Sequence, residues 1–310
     1  MSEAVIREGL SAWRVTPADE VSVLVDAEAY YRSFCSAALR ARRYIYIAGW
    51  QFDTQARLLR PDPAAPPAHP IELLPFLNFL CEATPDLHIY IAAWDYSLVY
   101  AIEREWLQKV KFAFQSHPRV HFEFTNHPDP GGCYHRKIVI VDDAVAFLGG
   151  LDLCDSRWDT RRHQPNAPER IDLSGRPYKP FHDIQVALRG AAIQPLRDLF
   201  VADWRRATGQ DPGTPPAPEL TSGESEGAEP FVLTTLSGGL GVALRCRRTA
   251  ISRTECDDAG KHSIAETQQL FERAIGAAER LIYIETQYFT SRTLAEALCH
   301  RLADGARSKL

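Results

Sequence analysis

The sequence of 310 residues predicts an α/β fold, with helices packed on the faces of a sheet. Amphipathic segments with helical spacing alternate with short segments rich in β-branched and aromatic residues, and this alternation is typical of such a sheet. Loops rich in proline or glycine separate the segments. The length corresponds to about two domains. A segment near the start of the chain also recurs near its end, which indicates an internal repeat.

The predicted elements follow one another in a regular order. A helical pattern at residues 30–42 leads into a strand at 44–50, whose sequence Tyr-Ile-Tyr-Ile-Ala-Gly-Trp favours a buried extended segment. Five prolines between residues 61 and 70 exclude a helix or a central strand there. The pattern also predicts helices at 72–83, 99–114 and 193–206, strands at 87–94, 120–124 and 184–188, and a hairpin of 137–141 with 144–148. Asp142 and Asp143 form the turn of that hairpin.

The composition excludes several classes of protein. Hydrophobic residues make up 45% of the chain and charged residues 24%, which are values of a globular protein. No apolar run reaches the length of about 20 residues that a membrane-spanning helix needs. Residues 1–10 do not form a secretory signal, so we expect a cytosolic protein. Seven cysteines without a C-x-x-C pair suit neither a zinc ribbon nor a disulfide framework, which favours free thiols.

The net charge of −5 is confined to one segment. Residues 209–230 contain five acidic residues, no basic residue, five prolines and four glycines, which predicts a linker. The remainder of the chain is neutral, which argues against nucleic acid as a partner because such binding needs clustered cations. We therefore expect a first domain at residues 1–208, the linker at 209–230, and a second domain at 231–310.

The second domain is predicted to begin as a copy of the first. Shifting the sequence by 237 positions places residues 34–53 on residues 271–290, with eight identities in twenty and no gap. Two helix–strand units share some alanines and isoleucines by composition alone. The matched arginine at Arg43 and Arg280, and the matched tyrosine at Tyr46 and Tyr283, favour a common origin. A strand is accordingly expected at residues 281–285, between helices at 263–278 and 294–302.

The densest group of polar residues surrounds the predicted hairpin. Residues two apart on a strand project to the same face, so His135 and Lys137 are expected to lie side by side. An imidazole beside an ammonium group suits a phosphoryl group, which the first can attack or protonate and the second can stabilise. The Gly149-Gly150 segment favours close approach of backbone N–H groups to the same phosphate oxygens. The spacing alone assigns Asp142 no partner beyond the turn.

The joint spacing H-x-K-x4-D-x6-G-G-x-D resembles the phospholipase D superfamily. Residues 178–183 and 282–289 resemble further conserved strands of that family, and the resemblance covers roughly residues 26–302. It implies an α/β/α sandwich lobe of the phospholipase D type plus an incomplete second copy.

The resemblance also implies a reaction. A glycerophospholipid such as phosphatidylcholine would be hydrolysed or transphosphatidylated through a phosphohistidine intermediate, with phosphatidic acid as the product of hydrolysis. His135 would be one of two active-site histidines, Lys137 would bind phosphate oxygens, and the Asp142 carboxylate would support the histidine arrangement. This scheme requires no metal and no other cofactor.

Further residues carry supporting roles in this interpretation. The expected phosphate-binding residues are Gly149, Gly150 and Asp152, although Asp152 stands where many family members have asparagine. The residues expected to support the catalytic groups are His182, Asp183 and Glu285. A structural role for a buried, hydrogen-bonded His182 remains an equal alternative.

A site of this type needs two H-x-K-x4-D motifs, and the sequence contains one. We favour a complete first lobe with the start of a second, and expect the isolated chain not to hydrolyse phosphatidylcholine. The alternatives are a single-motif nuclease completed by homodimerisation, a phosphatidyltransferase similar to cardiolipin synthase, and a non-catalytic remnant that binds phosphate or lipid. The expected partners are a phosphodiester substrate, a second lobe or second copy, and transiently a membrane surface.

Overall fold

The computed structural model describes residues 5–94, 108–125, 135–213, 241–244, 248–256, 263–286 and 288–303. The described residues divide into two compact units. The larger unit contains residues 18–94, 108–125, 135–213 and 241–244, and the smaller unit contains residues 5–17 and those from 248 onwards. Residues 5–17 thus group with the described residues after 247, which differs from the expected domain at 1–208.

The elements are numbered along the chain. The strands are β1 (Arg14–Thr16), β2 (Glu20–Val25), β3 (Tyr44–Gly49), β4 (His88–Trp94), β5 (Val120–Thr125), β6 (Ile138–Val141), β7 (Val145–Gly149), β8 (Ile184–Arg189), β9 (Gly241–Leu244), β10 (Thr249–Ile251), β11 (Thr254–Cys256) and β12 (Ser263–Ala265). The helices are α1 (Asp26–Ala38), α2 (Leu73–Ala83), α3 (Gln108–Gln115), α4 (Ile193–Thr208), α5 (Glu266–Ala277) and α6 (Arg292–Ala303). Residues 99–107 of the predicted third helix lie outside the described residues.

One mixed sheet organises the larger unit. Its strand order among the described residues is β5-β4-β3-β6-β7-β8-β2-β9. Strands β3, β4 and β5 pair in parallel, and every other neighbouring pair is antiparallel. All six residues of β3 are buried, which explains why this strand reads as a continuous apolar and aromatic run.

The two faces of this sheet pack against different helices. Ile45 and Ile47 of β3 lie on one face, in a core that includes Phe34 of α1 and Phe76 of α2. Tyr46 lies on the other face, where its ring stacks on Phe200 of α4 at a centroid distance of 4.5 Å. Alternate residues of one strand therefore serve two helical layers. The predicted α/β/α sandwich is confirmed for this lobe.

Two strands of the large sheet were not predicted from the sequence. β2 lies between β8 and β9, and pairs antiparallel with both. β9 was expected to belong to the second domain, but it extends the sheet of the larger unit because β2 leaves an open edge there. Gly209, at the start of the predicted linker, caps α4 with a left-handed φ of 75°. Residues 214–240 of the linker region lie outside the described residues.

The smaller unit contains short strand pairs and two helices. β1 pairs with β10, β11 pairs with β12, and α5 and α6 match the predicted helices closely. The prediction of a strand at residues 281–285 is wrong: this segment forms no ladder in the described chain. Leu281 is 79% exposed and Tyr283 is 77% exposed, whereas the corresponding residues of β3 are buried. A strand requires neighbours, and high β-propensity alone does not create one.

Across the described ranges, no helix combines the length and the apolar character needed to cross a bilayer.

Candidate active site

The hairpin of β6 and β7 positions the candidate active site. Asp142 and Asp143 lie in its three-residue turn, between the paired Val141 and Val145, with left-handed φ values of 52° and 56°. Lys137 directly precedes β6, at the open end of the hairpin, where its carbonyl accepts the N–H of Gly149 at 3.3 Å. The predicted hairpin therefore brings the H-x-K segment next to the two glycines.

A buried ion pair lies at this end of the sheet. The Lys137 Nζ is 3.2 Å from Asp152 Oδ2, and the two side chains are only 4% and 8% exposed. The backbone N–H of Trp50, which directly follows β3, donates to Asp152 Oδ1 at 2.8 Å. Lys137, Asp152 and Trp50 are thus fixed to one another across three separate segments of the chain.

The electrostatics of this pair leave the ammonium group able to bind an anion. Burial lowers the pKa of Lys137, and the neighbouring Asp152 carboxylate opposes that change. Burial likewise raises the pKa of Asp152, against the effect of Lys137. An ammonium group has three N–H donors, and in the described part of the chain its Nζ makes no hydrogen bond beyond the ionic contact with Asp152. Donors therefore remain for the oxygens of a phosphate.

His135 completes the group of residues around Trp50. Its ring meets the Trp50 indole edge-on at a centroid distance of 4.8 Å, while Lys137 Nζ lies 5.6 Å from the Trp50 ring. Although the His135 side chain is exposed on one side, packing against its neighbours desolvates the ring. This desolvation and the charge of Lys137 lower the pKa of His135 to about 4. At neutral pH the imidazole is therefore unprotonated, with a lone pair free to act as a nucleophile.

Asp142 does not join these residues. Its carboxylate accepts the backbone N–H groups of Arg42 at 2.6 Å, Arg43 at 3.0 Å and Tyr44 at 2.8 Å. It stands at the opposite end of β6 from Lys137, roughly 16 Å away at about 3.3 Å per residue. Asp142 therefore fixes the backbone where the chain enters β3. It lies too far from His135 to support the histidine directly, contrary to the expectation from the sequence.

The two glycines also have a different role from the expected one. Gly149 N–H donates to Lys137 O, and Gly150 N–H donates to Ile184 O at 3.1 Å, so neither group is left for a phosphate. A Cβ at Gly149 would lie 2.3 Å from the carbonyl oxygen of Ile184, and one at Gly150 would lie 2.3 Å from Asp183 Oδ1. Glycine is required here for close packing against β8 and the residue before it.

Substituting Gly149 with alanine tests this packing role. The new Cβ would clash with backbone atoms of Ile184, so we expect a loss of about 1–3 kcal/mol in the free energy of unfolding, typical of overpacking. Urea denaturation measures the loss. Gly276→Ala in α5 is the control, because a Cβ there meets no atom within 4 Å. Equal stability of Gly149→Ala and the unmodified chain would refute the packing role.

The expected supporting residues fall in different places. The Asp183 carboxylate lies against Gly150, close enough to Lys137 and Asp152 to interact with their charges, and burial raises its pKa. His182 faces away, with Nδ1 only 2.7 Å from Asp26 Oδ1. Asp183 therefore borders the candidate site, whereas His182 belongs to a second polar cluster.

Glu285 lies in the smaller unit, where its carboxylate accepts the hydroxyl of Tyr283 at 3.0 Å. Sequence reasoning did not include Trp50 among the site residues, although its indole contacts both His135 and Lys137. It also passed over His163, which contacts Asp26 and Asp159. The position of Trp50 at the carboxyl end of a central strand was the available signal for the first, while nothing in the spacing indicated the second.

Known proteins are similar to this chain in sequence and in fold. No protein-family model matches the sequence. Phospholipase D alpha 1 of Ricinus communis is 27% identical over 311 residues, covering 82% of this chain and 38% of that protein. Phospholipase D alpha 1 of Vigna unguiculata is 26% identical, covering 85% of this chain and 39% of that protein. The chain therefore spans less than two fifths of these relatives.

A solved structure supports the same assignment at the level of fold. Phosphatidylserine synthase of Haemophilus influenzae Rd KW20 matches with a TM-score of 0.52 and 13% identity, covering 94% of this chain and 61% of that one. Sequence relatives and the spacing of the residues around the β6–β7 hairpin both support the phospholipase D superfamily, and the fold agrees with it.

Proposed function

We propose that this chain carries a phosphodiesterase site of the phospholipase D type, with His135 as the nucleophile. The observation that carries the proposal is an unprotonated imidazole beside a buried ammonium group, both against Trp50. A nucleophile that attacks phosphorus needs a free lone pair, and the phosphate it attacks carries negative charge. His135 supplies the first requirement, and Lys137 supplies the countercharge.

The proposed reaction proceeds in two displacements. A ring nitrogen of His135 attacks phosphorus, and the alcohol leaves with the electron pair of the broken P–O bond. The Lys137 ammonium stabilises the charge on the non-bridging oxygens as it grows. Water or a second alcohol then attacks the phosphohistidine and gives its proton to a second histidine, and the P–N bond breaks to release the His135 imidazole unchanged. A basic alcohol needs a proton as it leaves, and the second histidine, outside this H-x-K motif, is proposed to provide it.

The proposed substrate is a glycerophospholipid such as phosphatidylcholine. The matched relatives are named phospholipase D, and the excess of acidic over basic residues does not favour a polyanion such as nucleic acid. Head-group release from phosphatidylcholine vesicles would support this class. The assay uses an assembly that contains this chain and the second active-site histidine. Cleavage of single-stranded DNA by a dimer of the chain would support the nuclease alternative instead. Sedimentation with the vesicles tests the proposed transient contact with a membrane.

The nucleophile can be tested without the second histidine. Bis(4-nitrophenyl) phosphate has a leaving group that departs without a proton from an acid, so the first displacement needs only His135 and Lys137. We expect a burst of nitrophenol and one acid-labile phosphoryl adduct on the chain, which mass spectrometry locates at His135. His135→Ala should lower the burst rate by at least about 10³-fold, whereas His300→Ala on α6 should leave it unchanged. An undiminished burst in His135→Ala would exclude His135 as the nucleophile.

The pH dependence of the burst provides a second readout. Protonation removes the lone pair, so the rate should fall as the pH drops through the lowered pKa of His135, at about 4. In Lys137→Met, which lacks the positive charge, the titration of the His135 ring followed by NMR should move upward, toward the ordinary histidine value of about 6.5. If the burst rate of the unmodified chain already falls near the ordinary histidine pKa, the proposed environment of His135 is contradicted.

A further inference from the structure

A second polar cluster lies behind His182, and we propose that it binds a divalent transition-metal ion. The histidine–aspartate cluster consists of Asp26, His163 and His182. Asp26 Oδ1 lies 2.7 Å from His182 Nδ1, and Asp26 Oδ2 lies 3.2 Å from His163 Nε2. One potential ligand atom from each of the three residues falls within 4.8 Å of the others. This set is separate from the proposed catalytic residues.

The hydrogen bond between His163 and Asp159 leaves the other ring nitrogen of His163 facing Asp26, where a cation would fit. Its Nδ1 lies 3.1 Å from Asp159 Oδ2, so Nδ1 carries the hydrogen that this carboxylate accepts. In the neutral ring, Nε2 then presents a lone pair to Asp26 Oδ2. That oxygen is buried and has no hydrogen-bond partner among the described residues. Two facing lone pairs repel each other unless a proton or a metal ion lies between them.

Asp159 supports the metal interpretation. Its carboxylate accepts hydrogen bonds from the backbone N–H groups of Thr160 and Phe181, from the Arg170 guanidinium and from the His163 ring. A charged carboxylate on the far nitrogen of a histidine fixes the ring and raises its basicity, and this arrangement is common behind metal-binding histidines. Asp159 therefore acts as a positioning residue for His163.

The geometry also permits metal entry. Asp26 is fully buried, whereas His163 and His182 are 31% and 38% exposed, so the cluster opens to solvent on the histidine side. Ligand atoms about 3 Å apart are compatible with a shared metal at about 2.0–2.2 Å from each. Two imidazoles with one carboxylate suit zinc or a similar transition metal better than calcium or magnesium, which prefer oxygen ligands. Solvent would complete the coordination.

Titration of the full chain with Zn²⁺ and Co²⁺ tests the proposal. We expect one metal ion per chain by calorimetry, and a visible absorption band from bound Co²⁺ that Zn²⁺ removes. His163→Ala and His182→Ala should each weaken binding by at least about 100-fold, because each removes a ligand. His69→Ala, which removes a partly exposed histidine elsewhere, should not. Circular dichroism checks that each variant is folded, and the exposed His182 keeps the test decisive if His163→Ala does not fold.

A further variant separates positioning from coordination. Asp159→Asn should weaken metal binding by about 10–100-fold and shift the Co²⁺ band, because it alters the orientation and basicity of His163 without removing a ligand. Failure of the unmodified chain to bind either metal would overturn the proposal. Unchanged affinity in His182→Ala would overturn it equally.

Discussion

Replacing Lys137 with methionine is expected to lower the free energy of unfolding by about 3–5 kcal/mol. The substitution keeps most of the side-chain volume but leaves the Asp152 carboxylate buried without its partner. Asp152 is 8% exposed, and the backbone N–H groups of Trp50 and Gln51 that also bind it are neutral, so neither they nor water can replace the lost ammonium group. Urea denaturation followed by circular dichroism measures this loss as a lower transition midpoint.

Two further variants make this result specific. Lys137→Met combined with Asp152→Leu removes both charges, and most of the stability should return because no unpaired charge remains buried. Lys179→Met removes an exposed lysine and should change the free energy of unfolding by no more than about 0.5 kcal/mol. If the double variant is as unstable as Lys137→Met, the loss does not come from the unpaired Asp152. The double variant should still lack the nitrophenol burst, because phosphate binding needs the ammonium group.

Arg170→Met is expected to cause a loss of similar size, about 3–5 kcal/mol. Arg170 is 1% exposed and is the largest fully buried side chain described. Its guanidinium donates to both carboxylate oxygens of Asp159, at 3.1 and 3.2 Å, and to the carbonyl of Pro165 at 2.8 Å. Methionine would remove the cationic partner of the buried Asp159 and leave that carbonyl without its donor. The long connection between β7 and β8, which has little regular structure, would lose its central anchor.

The control for Arg170 lies in the same connection. Arg161 is exposed, so Arg161→Met should change the free energy of unfolding by no more than about 0.5 kcal/mol. Arg170→Lys keeps the charge but not the planar fork of donors, so it should recover only part of the loss. Full stability of Arg170→Met in urea would show that Asp159 is satisfied by its other donors.

The central strands were predictable because their signal is local. β3 and β4 differ from the predicted ranges by one residue each, since uninterrupted aliphatic and aromatic runs mark buried parallel strands. The β6–β7 hairpin was predictable for the same reason, with two aspartates at its turn. β2 has alternating β-branched residues over six positions, which would have sufficed to find it. Residues 281–285 show the limit of this signal, because local propensity says nothing about available neighbours.

The candidate site was predictable only in part. The spacing of His135 and Lys137 identified both residues, and the structure places both against Trp50. Asp142 belongs to the same sequence motif but lies at the far end of β6, since a motif records order along the chain and not distance across the fold. Asp26 and His163 are separated by well over a hundred residues, and only the packing of α1 against the long connection brings them together.

The position of β2 in the sheet also bears on how this protein folds during synthesis. β2 pairs with β8, so Glu20 lies opposite Arg189, a residue made much later. At a translation rate of about 5–20 residues per second, β2 waits on the order of ten to thirty seconds for that neighbour. Its β-branched residues stay available to wrong partners throughout this interval. Non-local pairing of this kind also slows refolding from denaturant, and it makes the first strand of the sheet one of the last to be secured.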